Sequence, residues 1–359
     1  MRIKLLPILI ILMLIFPGCA RAEQNAATAT SSNAAPTATT QLEDEPTQPP
    51  VAQPTPERTG DASVDEGDDV SGGGGDIDAS ETPYEREAKR DIMALMMSYP
   101  DQIVDLEKAE DGLIYVVMHS GSIIVYDDMQ SKSFEEKLDG ADLADTMELV
   151  YPLGDIDLLM EGDFDPGRFR NYDLLMEVYG GTQIAIEANL VPVQIDSKTV
   201  QFNGENGVAL AMAAVFAELD DIISDERAIA QFVYPLASTY YYRVIAGTDR
   251  LSMHSFGIAI DLKNVSTDYW REATREQGQA RLDVFPKEIV RVFEENGFIW
   301  GGKWAHFDLL HFEYRPELIM KAKYYTEPKD GEVWYLGYPQ TEETMKLVEK
   351  IDKAYAVAK

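Results

Sequence analysis

Four histidines occur in the 359 residues, at 119, 254, 306 and 311, and three of them stand near other groups able to hold a metal. One block reads Ser252-Met253-His254-Ser255-Phe256-Gly257-Ile258-Ala259-Ile260-Asp261. A second reads Trp300-Gly301-Gly302-Lys303-Trp304-Ala305-His306-Phe307-Asp308-Leu309-Leu310-His311-Phe312-Glu313. Two imidazoles and one carboxylate form a donor set that zinc accepts, with a fourth position left for water. His254 and Asp261 offer two of the donors, and either His306 or His311 offers the third. A lone histidine beside an acid is more often a surface pair than a ligand, so the weight rests on both blocks together.

Those donors need strands to aim them. Ile258, Ile260 and Leu262 alternate with Ala259 and Asp261, which predicts a strand with one apolar face and a carboxylate beside a methyl group on the other. Gly257 lets the chain turn sharply into that strand, and Ala259 is expected to keep its face clear for metal and substrate. Leu310, Phe312 and Tyr314 alternate with His311 and Glu313 in the same way, which favours His311 over His306. Glu313 shares the face of His311 and is either its hydrogen-bonding partner or a competing base. His119 falls in a predicted turn, as a surface residue.

Helices complete the frame. Val208, Met212, Val215, Phe216, Leu219, Ile222 and Ile223 fall on one face of a long helix. Pro286 opens another, with Ile289, Val290 and Phe293 inward and Gly297 as its stop. The fold class expected is α+β: a small antiparallel sheet with flanking helices carrying a single mononuclear zinc site over residues 181–359, plus an additional N-terminal α/β segment over 84–180. In that segment Tyr84–Met97 has helical spacing. Gly112–Met118 and Ser122–Tyr126 read as strands joined at His119-Ser120-Gly121. No chemical motif occurs there.

The first residues set a compartment. Arg2 and Lys4 precede an apolar run, Leu5–Phe16, shorter than the roughly 20 residues of a membrane-spanning helix, and so predict an export signal over residues 1–19. Phe16-Pro17-Gly18-Cys19 resembles a lipoprotein cleavage site, although Phe and Pro depart from its usual first two residues. Cys19, the sole cysteine, is expected to carry the lipid. Ala20-Arg21-Ala22 offers the alternative, cleavage at Ala22 and secretion. Residues 20–83 are rich in Ala, Thr, Pro, Gly and acids, too polar to repay ordering, and are expected to form a tether with a random-coil span of roughly 40–45 Å. A net charge of -32 argues against nucleic acid and anionic lipid as partners, because both would be repelled.

The pattern S-x-H-x-x-G-x-A-x-D, followed by W-G-G-x-W and D-x-x-H-F, resembles the VanY-like group of zinc D-alanyl-D-alanine carboxypeptidases and L-alanyl-D-glutamate endopeptidases. The likeness runs from about Tyr240 to Tyr314 and extends, with the long helix, back to about Asn189. It implies Zn2+ held by His254, Asp261 and His311, with Asp308 as general base. It also implies that Tyr242-Arg243-Val244-Ile245-Ala246-Gly247 carries a substrate-binding arginine, Arg243, and that the partners are peptidoglycan stem peptides; the membrane, as a second partner, is expected from the lipid at Cys19. The roles are chemically coherent. Zinc acidifies water toward neutral pH, and Asp308 takes the water's proton and passes it to the leaving amine. Arg243 stabilises the growing negative charge or binds a substrate carboxylate, and Ser252 adds a hydrogen bond to substrate. No H-E-x-x-H, S-x-x-K, K-T-G, G-x-S-x-G or P-loop occurs, which removes the rival hydrolase and nucleotide chemistries. The alternative is a non-catalytic wall-binding or signalling lipoprotein of the same fold, which the presence of Asp308 and all three donors weighs against. Which bond is cut stays open between the two branches of the group.

Overall fold

A computed structural model describes residues 81–326, 329 and 331–356. The residues expected to form an export signal, Cys19, and nearly all of those expected to form a tether lie outside the described residues. The first helix, Pro83–Ser98, starts where the polar segment stops. Thr82 accepts from the Glu85 amide while the Glu85 carboxylate reaches back to Thr82, and Pro83 occupies the position where a missing N–H is harmless.

Strand β1 (Ile103–Lys108), β2 (Ile114–Met118) and β3 (Ile123–Val125) form an antiparallel sheet in that order, with the predicted turn between β2 and β3. Strands β4 (Leu190–Ile195) and β5 (Lys198–Asn203) make a two-stranded antiparallel pair. Strand β6 (Ala259–Asp261), β7 (Phe298–Trp300) and β8 (His311–Tyr314) form a third sheet in the order β6-β8-β7, antiparallel throughout. The fold is thus mixed helix and sheet, as expected, with three small antiparallel sheets among the described residues; β2 and β3 fall on the strands expected at 112–118 and 122–126, whereas the β4–β5 pair is not among the expected strands.

Helices Val208–Asp225 and Lys287–Glu295 supply the layer behind the third sheet. Val208, Met212, Val215, Phe216 and Leu219 are buried, and Ile222 and Ile223 pack at the margin. Phe293 stacks on Phe312 of β8 with ring centres 3.9 Å apart, and Phe216 meets Phe293 edge-on at 6.4 Å. Offset aromatic pairs of this kind add about 0.5–1.5 kcal/mol beyond the area they bury. One apolar face of β8 is therefore fixed against helices, and the opposite face is left to His311 and Glu313. The apolar cluster runs from Ala88 in the first helix to Ile351 in the last. Arg90 of the first helix is buried, and its guanidinium donates to the carbonyls of Tyr324 (2.5 Å), Trp334 (2.6 Å) and Leu336 (2.9 Å). No helix among the described residues is long and apolar enough to cross a membrane.

Candidate metal centre

Register brings two donors together. Asp261 on β6 is paired directly with His311 on β8, and Ala259 with Glu313. Facing residues on neighbouring strands hold their Cβ atoms about 4.5–5.5 Å apart, so their polar tips meet. His254 arrives from a single 3-10 turn, Met253–Phe256, that ends at Gly257. Gly257 has φ +69°, and a Cβ there would lie 2.8 Å from Leu190 Cδ2 and 3.0 Å from the Asn203 amide nitrogen. Only glycine makes the turn and fits the space. The Asp261 Oδ1 atom lies 3.2 Å from His254 Nε2 and 2.9 Å from His311 Nδ1. One donor atom from each of the three residues lies within 4.8 Å of the others.

The far nitrogens of both imidazoles are occupied by acceptors. His254 Nδ1 lies 2.8 Å from the Thr239 carbonyl, which only accepts, so Nδ1 carries a proton and Nε2 is the nitrogen turned toward Asp261. His311 Nε2 lies 3.3 Å from Glu313 Oε2. Glu313 is fully buried, and it also accepts from Arg170 at 2.8 Å and Arg315 at 3.2 Å. Burial alone would raise its pKa, but Arg170, the His311 hydrogen bond and Arg315 hold the carboxyl well below the usual range. An ionised Glu313 accepts the His311 Nε2 proton and turns Nδ1 toward Asp261. It is the partner of His311 and not a competing base. Imidazoles oriented through their second nitrogen in this way are the normal arrangement around a bound metal.

Charge is balanced within the group. Burial would depress His311, yet its contacts with Asp261 and Glu313 push its pKa up to about 10. Asp261 is held well below the usual carboxylate range by His254 and His311, against the effect of burial.

Asp308 stands three residues before His311. Its amide donates to the Gly301 carbonyl (2.9 Å), and its carbonyl accepts from the His311 amide (3.2 Å). Its Oδ1 is buried with no hydrogen-bond partner. Burial pushes the carboxyl pKa up to about 7; His311 and Arg168 oppose that rise, while Asp261 and Asp268 add to it. A buried, unpartnered carboxylate oxygen beside a His-Asp-His group is a cost unless a ligand or ion meets it. The donor set and this orphaned oxygen together fit zinc and a water beside it.

The remaining predicted residues fall as follows. His306 is not in the donor group: its Nδ1 lies 2.6 Å from Asp165 Oδ2, and its amide donates to Asp165 Oδ1 at 3.0 Å. Arg243 is exposed, and its backbone is tied beside His254. Its amide donates to Ser255 Oγ (2.8 Å), and its carbonyl accepts from the Ser255 hydroxyl (2.6 Å) and the Ser252 amide (3.1 Å). Ser252 is buried and His119 is exposed. Ala259, expected to keep an open face, is fully buried. Its cross-strand partner Glu313 is paired with Arg170 at 2.8 Å.

Sequence reasoning missed the cover itself. Residues 164–170 strap across the third sheet: the Phe164 carbonyl accepts from the Ala305 amide (2.9 Å), Pro166 from Trp304 Nε1 (2.8 Å), and Gly167 from Arg315 (2.7 Å). The only trace in the sequence is Arg168-Phe169-Arg170, two cations close together in an acidic chain. A second carboxylate group, Asp127, Asp128 and Asp142, also converges. There the Lys132 ammonium sits 3.0 Å from Asp128 and 2.8 Å from Asp142 and supplies the positive charge.

Residues 246–314 match a family model described as D-alanyl-D-alanine carboxypeptidase. The match takes in both motif blocks, the three donors and Asp308, and starts three residues after Arg243. It bears out the resemblance to the VanY-like group over that stretch and supports a carboxypeptidase-type metallopeptidase. No curated protein and no solved structure matches the chain.

Proposed function

We propose that this chain is an exported zinc metallopeptidase that hydrolyses the stem peptides of peptidoglycan. One observation carries the reading. His254 Nε2, Asp261 Oδ1 and His311 Nδ1 converge, and each imidazole is oriented by an acceptor on its other nitrogen. His254, Asp261 and His311 hold the ion. When bound, zinc acts as a Lewis acid that acidifies water and polarises a peptide carbonyl.

The chain's own groups do the rest. Asp308 Oδ1 has no competing partner, and a carboxyl that titrates near neutrality is suited both to accept a proton and to release it to a leaving nitrogen. Arg243 contributes positive charge at the rim, to a carbonyl oxygen or a substrate carboxylate, and Ser252 holds the Arg243 backbone beside His254. Export rests on the Leu5–Phe16 run, and anchoring at a membrane facing the periplasm or cell wall rests on lipid at Cys19.

The test is mass spectrometry of products from a defined pentapeptide-bearing wall fragment, with chelator and with zinc restored. Cleavage that stops with chelator and returns with zinc is expected. Its position separates terminal D-alanine release from cutting at L-alanyl-D-glutamate. Stoichiometric zinc with no cleavage of any wall peptide would overturn the proposal in favour of a non-catalytic wall-binding protein.

A further inference from the structure

We infer that Arg168, supplied by the strap and lying outside the matched family segment, binds a carboxylate of the substrate next to the scissile bond. The inference rests on the peptidase reading above. Arg168 donates one N–H to Asp165 Oδ2, at 2.7 Å. Asp165 is completely buried, and His306 occupies it from a second direction through both its amide and its ring. The anchor cannot follow the arginine outward. The arginine side chain itself keeps 21% of its surface exposed. A guanidinium has five N–H donors in a fixed plane, and most of this one's remain for a ligand.

Its position is next to the chemistry. The guanidinium lies 5.9 Å from the centre of the Trp304 ring, and that ring lies 5.7 Å from the ring of His311. Trp304 also approaches the Asp308 backbone: a Cβ on Gly301 would touch Trp304 Cζ3 at 3.0 Å and the Asp308 carbonyl at 2.6 Å. Arg168 is close enough for its charge to act on Asp308. One aromatic ring therefore separates a partly exposed cation from a proposed metal ligand. An extended peptide advances about 3.3–3.6 Å per residue. A group within about three residues of the scissile bond reaches across that gap. Arg243 is tied by its backbone on the His254 side of the group.

A planar guanidinium pairs best with a carboxylate, through two parallel hydrogen bonds. In a stem peptide the carboxylate is either the C-terminal one or that of an acidic side chain. Three versions of one peptide separate these: free acid, C-terminal amide, and side-chain amide. Binding is measured by calorimetry on the zinc-loaded protein and turnover by product release, for the wild type, Arg168→Gln and Arg168→Lys. The wild type is expected to bind the free acid about 10–100 times more tightly than one of the two amides, the scale of a charged hydrogen-bonded pair. The amide that loses affinity identifies which carboxylate is read. In Arg168→Gln that preference should shrink to about twofold, through KM more than kcat, with zinc stoichiometry retained and the melting temperature lowered by loss of the Asp165 counter-ion. Arg168→Lys keeps the charge beside Asp165 without the planar fork and should fall between.

Equal affinity of the wild type for all three peptides would overturn the inference. So would a full preference surviving in Arg168→Gln, or a loss in that variant that is the same for acid and amides. If Arg168→Gln does not fold, an unchanged preference in Arg168→Lys overturns it as well. Failure of the peptidase reading looks different: no peptide is cleaved by any form, while the binding preference still decides the role of Arg168.

Discussion

Asp261 and His311 face each other across β6 and β8, with Asp261 Oδ1 2.9 Å from His311 Nδ1. The pairing lies in the backbone register, so neither side chain can leave without the strands separating. It also means the metal group tolerates loss of a side chain better than a shift of one residue. Asp261→Ala and His311→Ala should each fold and lose zinc, from about one equivalent to below about a tenth after dialysis. Elemental analysis beside circular dichroism checks this, and full zinc occupancy in either variant would refute the ligand assignment.

The same pair predicts a pH response for the chelated protein. A His311 pKa near 10 stands above the unfolded value of about 6.5. Its contacts with Asp261 and Glu313 therefore contribute stability that is whole below about pH 6.5 and is lost as pH rises toward 10, on the order of 2–4 kcal/mol. Thermal melts of chelated wild type should decline between pH 7 and 10, and those of His311→Gln should be flatter. Identical slopes would show that His311 is not carrying the charge.

Glu313→Gln keeps shape and removes charge. Arg170 and Arg315 would lose their shared counter-ion, and the proton on His311 Nε2 would meet a weaker acceptor. Zinc affinity should fall about 10- to 100-fold. Stability should fall by about 3–5 kcal/mol, as when one member of a buried ion pair is removed. Competitive chelator titration and denaturant melts measure the two losses separately.

Asp308→Asn separates proton transfer from metal holding. Zinc should remain at one equivalent, while turnover on a cleaved wall peptide drops about 10²- to 10⁴-fold. Activity within a few-fold of wild type would mean that the base is another group.

Behind the sheet, Phe293→Ala should cost about 3–5 kcal/mol, because the ring is stacked on Phe312 and fully enclosed. Unfolding followed by tryptophan fluorescence would register it.

Strands β6 and β8 and the turn at Gly257 were legible because a period-two alternation and a glycine before a strand are local signals. His311 was separable from His306 for the same reason. The role of Glu313 was not legible, since the choice between partner and base depends on Arg170, 143 positions away in sequence. The strap 164–170 escaped notice because it works through backbone carbonyls, which every sequence possesses. Hairpin β4–β5 escaped as well: Val191 is exposed and Val193 buried, but Pro192 between them interrupts the pattern a strand would show.

The clasp formed by Arg90 has a mechanical consequence. The described chain enters the fold at Glu81 and Thr82, just ahead of the helix that bears Arg90, and Lys89 beside it pairs with Asp352 of the last helix at 2.9 Å. A pull arriving from the preceding residues is thus taken up by the guanidinium, the three carbonyls it grips, and helix Glu342–Ala356. Lys321 of helix Pro316–Tyr324, which follows β8 directly, pairs with Asp91 of the same first helix at 2.6 Å, so a pull on that helix also reaches the strand that holds His311.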